Sequence, residues 1–138
     1  MPYKKDKGVT LTEILVVVII IAILIILSMP RYTETRERGL AREAVATLKL
    51  ISVAEKIYHM KLNTYWPASG SYTDSGTIGG ALKLNLTEMN WDYAIVGGVN
   101  TFNATANRTT GTYSSCQYSV NQSYSFGSFD LTKGSGCP

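Results

Sequence analysis

A single carboxylate, Glu13, stands at the start of a largely apolar stretch that reaches Met29. Residues 14–27 contain no polar side chain. A charged group at the rim of a membrane-spanning helix is costly and commonly marks function. The carboxylate of Glu13 could form an ion pair with a cationic group from elsewhere. Five residues earlier, Gly8 ends a short basic stub, and a glycine lets a protease approach the backbone closely.

The rest of the chain offers little chemistry. His59 is the only histidine, and the acids Asp74, Asp92 and Asp130 are scattered rather than spaced like a calcium loop. No nucleophile has a base nearby in the sequence, and no cluster has the spacing of metal ligands. We therefore predict no catalytic site, no metal and no cofactor, and a protein that is not an enzyme.

The apolar stretch has the length of a membrane span. Val9 to Met29 is 21 residues, or about 31 Å of helix, which is close to the thickness of a bilayer core. A secretory signal peptide has a shorter apolar region and a small-residue cleavage site after it. Here Pro30, Arg31 and Tyr32 follow. We expect the apolar segment to be retained and residues 1–8 to be removed.

The net charge of +3 does not indicate a nucleic-acid partner. Residues 1–62 hold 10 of the 13 Lys and Arg, and the rest of the chain has no clustered basic patch with aromatic residues between. Removal of residues 1–8 takes away three lysines and one aspartate, so the charge becomes +3 − 3 + 1 = +1.

Residues 31–62 continue the helix as an amphipathic stem. Apolar side chains recur at spacings of three and four, which places them on one face: Leu40, Ala41, Ala44, Val45, Leu48, Ile51, Tyr58 and Leu62. Arg42, Lys49 and Lys56 fall on the opposite face. Glu55 lands within the apolar face. We expect it to bend toward solvent, with weak pairing to His59; the alternative is a buried partner such as Arg108.

The C-terminal half has the pattern of a small antiparallel sheet. Residues 63–80 are polar and glycine-rich, and predict a loop. Three runs of period two follow, and each places apolar side chains on one face: Trp91, Tyr93 and Ile95; Phe102, Ala104 and Ala106; Cys116, Tyr118 and Val120. A last strand is predicted near residues 124–131. Such a sheet needs a cover, which the stem supplies.

The two cysteines, Cys116 and Cys137, allow one intramolecular pairing. A disulfide would attach the C-terminal tail to the sheet and would form in an oxidising compartment. Free thiols are the alternative. We predict the disulfide.

The basic stub, Gly8 and the glutamate five residues later together resemble the type III leader of type IV pilins and pseudopilins. The resemblance implies an α+β fold, with a long N-terminal helix on a small antiparallel sheet and a disulfide-bounded C-terminal region. It divides the chain into a leader (1–8), an apolar assembly half of the helix (9–30), an amphipathic half (31–62) and a globular head (63–138).

By the same resemblance, a membrane-bound prepilin peptidase cuts after Gly8 and methylates the new amine of Val9. Glu13 then pairs with the N-terminal amine of the neighbouring subunit, and Pro30 matches the helix-bending proline of the family. The implied function is a structural subunit of a type IV pilus. A type II secretion pseudopilin and a minor pilin at the filament tip are the alternatives. Major pseudopilins usually have a calcium loop and lack the terminal disulfide.

The implied partners are further copies of the chain in a helical filament, an inner-membrane platform protein and an assembly ATPase. The implied location is the inner membrane for the precursor and the cell-surface pilus for the mature chain.

Overall fold

The computed structural model describes residues 8–124, 132–134 and 136–138, with the backbone alone at residues 28–31. The chain divides into two compact units, Met1–Arg36 and Glu37–Pro138. The elements follow in the order α1 (Leu11–Leu62), β1 (Ser69–Tyr72), α2 (Ser75–Leu82), β2 (Trp91–Gly98), β3 (Phe102–Arg108), β4 (Gln117–Asn121) and β5 (Thr132–Lys133). A long helix packed on a small antiparallel sheet confirms the predicted α+β class.

Helix α1 runs through both units, and its first half is made of aliphatic side chains. Val and Ile dominate residues 14–27, although β-branched residues are weaker helix formers than Leu or Ala. A helix satisfies every backbone hydrogen bond within its own segment, which an apolar surrounding requires. The helix ends at Leu62, where Asn63 adopts a φ of 55° and its N–H donates to the carbonyl of His59 at 2.8 Å. Residue 62 is also the last residue of the stem that the sequence predicted.

The five strands form one sheet in sequence order, with every neighbouring pair antiparallel. Short connections join β2 to β3 and β3 to β4, which makes the centre of the sheet a meander. Strand β2 pairs with β3 in the register Trp91↔Arg108 and Ile95↔Ala104. Strand β3 pairs with β4 through Ala106↔Tyr118. Side chains therefore alternate between a covered and an exposed face.

The core lies between the covered face of the sheet and the second half of α1. Each of the three predicted apolar runs is buried as expected, and Ala44, Leu48 and Ile51 of α1 pack against them. The indole N–H of Trp91 donates to the carbonyl of Leu40 at 3.0 Å. The predicted burial of the apolar face fails for one residue. Leu62, the last helical residue, is 58% exposed.

The predicted loop over residues 63–80 is also wrong, because it contains β1 and most of α2. Asp74 caps α2 by accepting a hydrogen bond from the N–H of Thr77 at 2.6 Å. Hydrogen bonds from the side chain and the backbone of Thr77 lower the pKa of the Asp74 carboxyl. The sequence of α2 contains three glycines and has low helix propensity. Burial of Ile78 and Leu82 overrides that propensity.

The last predicted strand falls mainly on residues 125–131, which lie outside the described residues. The structure has a strand just beyond them, β5, which pairs with β4 through Tyr118↔Lys133 and Ser119↔Thr132. Tyr124, at the start of the predicted strand, is buried, and its carbonyl accepts a hydrogen bond from Lys56 Nζ. Lys56 is accordingly half-buried, as is Lys49, whereas the sequence predicted both on the solvent side.

Candidate processing and assembly site

Helix α1 begins immediately after Thr10, and that residue caps it. The N–H of Glu13 approaches Thr10 Oγ1 at 3.3 Å and the Thr10 carbonyl at 3.1 Å, and the N–H of Ile14 approaches the same carbonyl at 3.3 Å. Thr10 and Glu13 also have the spacing of a capping box, Thr-x-x-Glu. The sequence thus fixes the start of the helix, and it leaves Gly8 and Val9 outside the helix.

Gly8 and Val9 are both exposed at the predicted cleavage point. Val9 is 64% exposed, and a β-carbon built on Gly8 would meet no atom within 4 Å. No folded element therefore covers the peptide bond between them among the described residues. This geometry suits attack by a protease, and cleavage there remains a prediction.

Glu13 occupies the first turn of α1 and is exposed. A carboxylate in this position is favoured by the unpaired N–H groups and the dipole of the helix N-terminus. Leu11, Ile14 and Val17 surround it along the chain and are 82%, 54% and 46% exposed. A cover of other helices over these apolar surfaces would desolvate the carboxylate with them, and it would then require a cation.

The apolar half of α1 exposes every one of its large side chains. From Val9 to Leu27 none of them is buried, so the segment is apolar on all sides. A helix of this kind is typical of a membrane span or of the centre of a helical assembly. Among the described residues no single helix is long and apolar enough to cross a membrane. The segments Leu11–Leu27 and Tyr32–Leu62 meet that requirement only as a pair.

The structure places three of the predicted site residues within one short stretch: Gly8, Val9 and Glu13. At Pro30 the backbone is assigned to α1, and its side chain lies outside the described residues. The predicted kink there stays a prediction. Cys116 and Cys137 lie in the second unit and form the predicted disulfide, with a Cα–Cα distance of 4.5 Å. The disulfide joins the start of β4 to the C-terminal tail.

The sequence alternative that paired Glu55 with Arg108 is wrong, because the carboxylate partner of Arg108 is Glu37. Nε and Nη2 of Arg108 donate to the two carboxylate oxygens of Glu37, each at 3.1 Å. Nη1 donates to the carbonyl of Asn90 at 2.7 Å. The side chains are 2% and 9% exposed. The sequence did contain a sign that Arg108 is buried. Arg108 follows Phe102, Ala104 and Ala106 at intervals of two residues, so it lies on the covered face of β3.

Glu55 does not bend toward solvent, so the expected weak pairing with His59 is wrong. Its side chain is fully buried, and Oε2 accepts a hydrogen bond from the N–H of Trp66 at 2.9 Å. Burial raises the pKa of Glu55 to about 7, and the Trp66 hydrogen bond offsets part of that rise. Glu55 Oε1 and the nearby Ser52 Oγ have no hydrogen-bond partner within the described ranges. His59 instead stacks on Tyr65, with ring centroids 4.3 Å apart.

A family model described as the prokaryotic N-terminal methylation motif matches residues 3–29. No curated protein and no solved structure matches the chain. The matched range includes Gly8, Val9 and Glu13. The match indicates a structural protein rather than an enzyme. The chain carries in residues 3–29 the prepilin leader signature of the type IV pilins and pseudopilins.

Proposed function

We propose that the chain is the precursor of a type IV pilus subunit. The observation that carries the proposal is the apolar half of α1. From Val9 to Leu27 it exposes aliphatic surface on all sides, has one carboxylate near its start, and is preceded by an uncovered Gly8–Val9 bond. Lipid covers this surface in the precursor, and neighbouring subunits cover it in the filament.

The processing step acts on the exposed N-terminal segment. A prepilin peptidase hydrolyses the peptide bond after Gly8, and the new amine of Val9 is then methylated. The amine lies four residues before Glu13 in the sequence, so each subunit carries one positive and one negative group at the same end of an aliphatic helix. A neighbour displaced along the filament brings its amine to Glu13. Misregistered neighbours leave a charge unpaired in apolar surroundings, which costs several kcal/mol.

Assembly exchanges lipid contacts for helix contacts. Packing of aliphatic side chains drives the association, and the head-to-tail arrangement repeats without closing. An inner-membrane platform protein and an assembly ATPase supply the work of extraction. The precursor resides in the inner membrane, and the mature subunit resides in the surface filament.

The nearest second candidate is a type II secretion pseudopilin, which shares the leader signature. The Cys116–Cys137 disulfide favours the pilus, since major pseudopilins usually lack a terminal disulfide. A minor pilin at the filament tip is a further variant.

Immunogold labelling of native cells with antibodies against the head separates these candidates. Label along surface filaments supports a pilus subunit, and label confined to filament tips supports a minor pilin. Label restricted to the cell envelope would support the pseudopilin. A Glu13→Gln chain serves as the matched control, because it keeps the leader and the head and loses the assembly carboxylate.

A further inference from the structure

A groove in the unit Glu37–Pro138 is lined mainly by aliphatic side chains. Leu50, Val53 and Ile57 of α1 form one wall, and Leu82 and Leu84, at the end of α2, form the other. The volume between them is about 310 Å³. A concave and mostly apolar site with a few polar groups is the usual form of a small-molecule pocket. The groove therefore has the lining of a ligand site.

The turn that ends α2 holds the second wall in place. Lys83 adopts the left-handed conformation, with a φ of 59°, and its N–H donates to the carbonyl of Gly79. The N–H of Leu84 donates to the same carbonyl at 2.8 Å. A β-carbon on Gly79 would lie 2.5 Å from the Leu84 carbonyl oxygen, so the turn is closely packed. The wall is thus formed before any ligand binds.

The charges in the lining are both positive. They belong to Lys61 and Lys83, which also line a smaller pocket of about 70 Å³. Both lysines are exposed, and neither ammonium group forms a hydrogen bond or an ion pair with another described residue. The other bases that follow α1, Arg108 and Lys133, are engaged with Glu37 and with the carbonyl of Pro138. The groove therefore offers two available cations beside an aliphatic surface.

The order of these residues along α1 indicates the shape of the ligand. The aliphatic wall extends from Leu50 to Ile57, over about 10 Å of helix, and Lys61 follows one turn later. A matching ligand has an anionic group at the lysine end and an aliphatic chain along the helix. The volume suits one such chain rather than the two chains of a bilayer lipid.

We propose that this groove binds a free fatty acid, with its carboxylate between Lys61 and Lys83 and its chain along Leu50, Val53 and Ile57. The two ammonium groups supply charge-assisted hydrogen bonds to the carboxylate. The chain removes exposed aliphatic surface from water. The inference concerns one copy of the chain, so it does not depend on the proposed pilus function.

Photolabelling of the full chain in phosphatidylcholine bilayer discs tests the proposal. The probe is dodecanoate with a diazirine at the end of its chain, and labelled tryptic peptides are identified by mass spectrometry. The expected label falls on the peptide of residues 50–56. Dodecanol with the same diazirine controls for apolar adsorption, and it should label this peptide about fivefold less because it lacks the charge. Equal labelling by the two probes would overturn the proposal.

A pair of charge variants provides the matched comparison. The Lys61→Gln, Lys83→Gln double variant should reduce labelling by dodecanoate about fivefold and leave labelling by dodecanol unchanged. The Arg42→Gln, Lys133→Gln double variant removes the same charge away from the groove and should change neither. Undiminished labelling of the first variant by dodecanoate would contradict the assigned role of the lysines.

The bilayer provides the last comparison. Label confined to residues 9–27 would show that the probe follows the apolar half of α1, and it would overturn the proposal. Phosphatidylglycerol is then added to the discs. It should not displace the probe from residues 50–56, and displacement would assign the groove to bilayer lipid instead. Neither failure bears on the proposed function, which is tested by the presence of the chain in filaments.

Discussion

The guanidinium of Arg108 and the carboxylate of Glu37 form a buried bidentate ion pair, with both N–O distances at 3.1 Å. The pair joins the last residue of β3 to α1. Arg108 also lies over the ring of Trp91, with its guanidinium carbon 5.8 Å from the ring centroid. The contact fixes the register of the helix on the sheet, since a shift along α1 would leave two charges buried without partners.

Arg108→Ala should destabilise the head by roughly 3 kcal/mol or more, because it leaves Glu37 buried and uncompensated. The measurement is denaturant unfolding of the full chain in detergent. Arg42→Ala, at an exposed position on the same helix, is the matched control and should change stability little. An Arg108→Ala chain as stable as the control would show that the pair does not hold the helix to the sheet.

Glu55 predicts an unusual dependence of stability on pH. Burial raises its pKa from an ordinary value of 4.5 to about 7 in the folded head, so the folded state binds more protons between these values. The contribution of Glu55 to stability is therefore complete below pH 4.5 and falls as the pH rises to 7, by about 3 kcal/mol. Glu55→Gln should remove this fall.

The control for that prediction is Asp92→Asn, which alters an exposed acid on β2. It should keep the pH dependence of the original chain between pH 4.5 and 7. The quantity compared is the free energy of unfolding at several pH values. Equal slopes for the Glu55→Gln and unsubstituted chains would contradict a raised pKa at Glu55.

The Cys116–Cys137 disulfide closes a loop with a sequence separation of 21 residues. Reduction should lower the stability of the head by about 3 kcal/mol, chiefly because the unfolded chain gains freedom. The comparison is unfolding with and without reductant, with the Cys116→Ser, Cys137→Ser double variant as control. Reductant should not affect that variant. Equal stability of the oxidised and reduced chains would refute a stabilising role.

Replacement by alanine at two glycines should change the stability of the protein in opposite directions. A β-carbon on Gly97 would lie 2.8 Å from both the nitrogen and Cδ of Pro67, so Gly97→Ala should destabilise by about 1–3 kcal/mol. A β-carbon on Gly39, in α1, would meet no atom within 4 Å, so Gly39→Ala should stabilise the helix by up to about 1 kcal/mol. Thermal unfolding of the two variants measures both effects. A stabilising Gly97→Ala would contradict the close approach of the Pro67 loop.

The spacing of apolar residues and the residues typical of turns predicted most of the fold. The structure confirms the apolar face of α1 from Ala41 to Tyr58. It also confirms the alternation of buried and exposed residues in β2, β3 and β4. Both patterns depend only on helix and strand geometry. Helix α2 was missed because its three glycines disfavour a helix locally, and it forms through burial of Ile78 and Leu82. The end of the stripe at Leu62 was missed because periodicity does not tell how far the sheet extends along the helix.

The buried polar groups were harder to predict than the apolar ones. The sequence placed Glu55 on the apolar face of the helix and named Arg108 as a possible buried partner, but a pattern along the chain does not tell which acid faces which base across 71 residues. The N-terminal site differs because its residues lie close together in sequence. A resemblance over these neighbouring residues was enough to propose Gly8, Val9 and Glu13, whose roles stay predictions, and the structure adds that Thr10 caps the helix at Glu13.

The most direct test of the account is the intact mass and N-terminal sequence of the chain in filaments sheared from native cells. The account predicts a chain that begins at Val9 and carries one methyl group in place of a hydrogen on its amine, a net gain of CH2. The same chain is two hydrogens lighter because of the disulfide. A cleaved chain found only in the membrane fraction would favour the pseudopilin. A mature chain that still begins at Met1 or Pro2 would contradict the filament function.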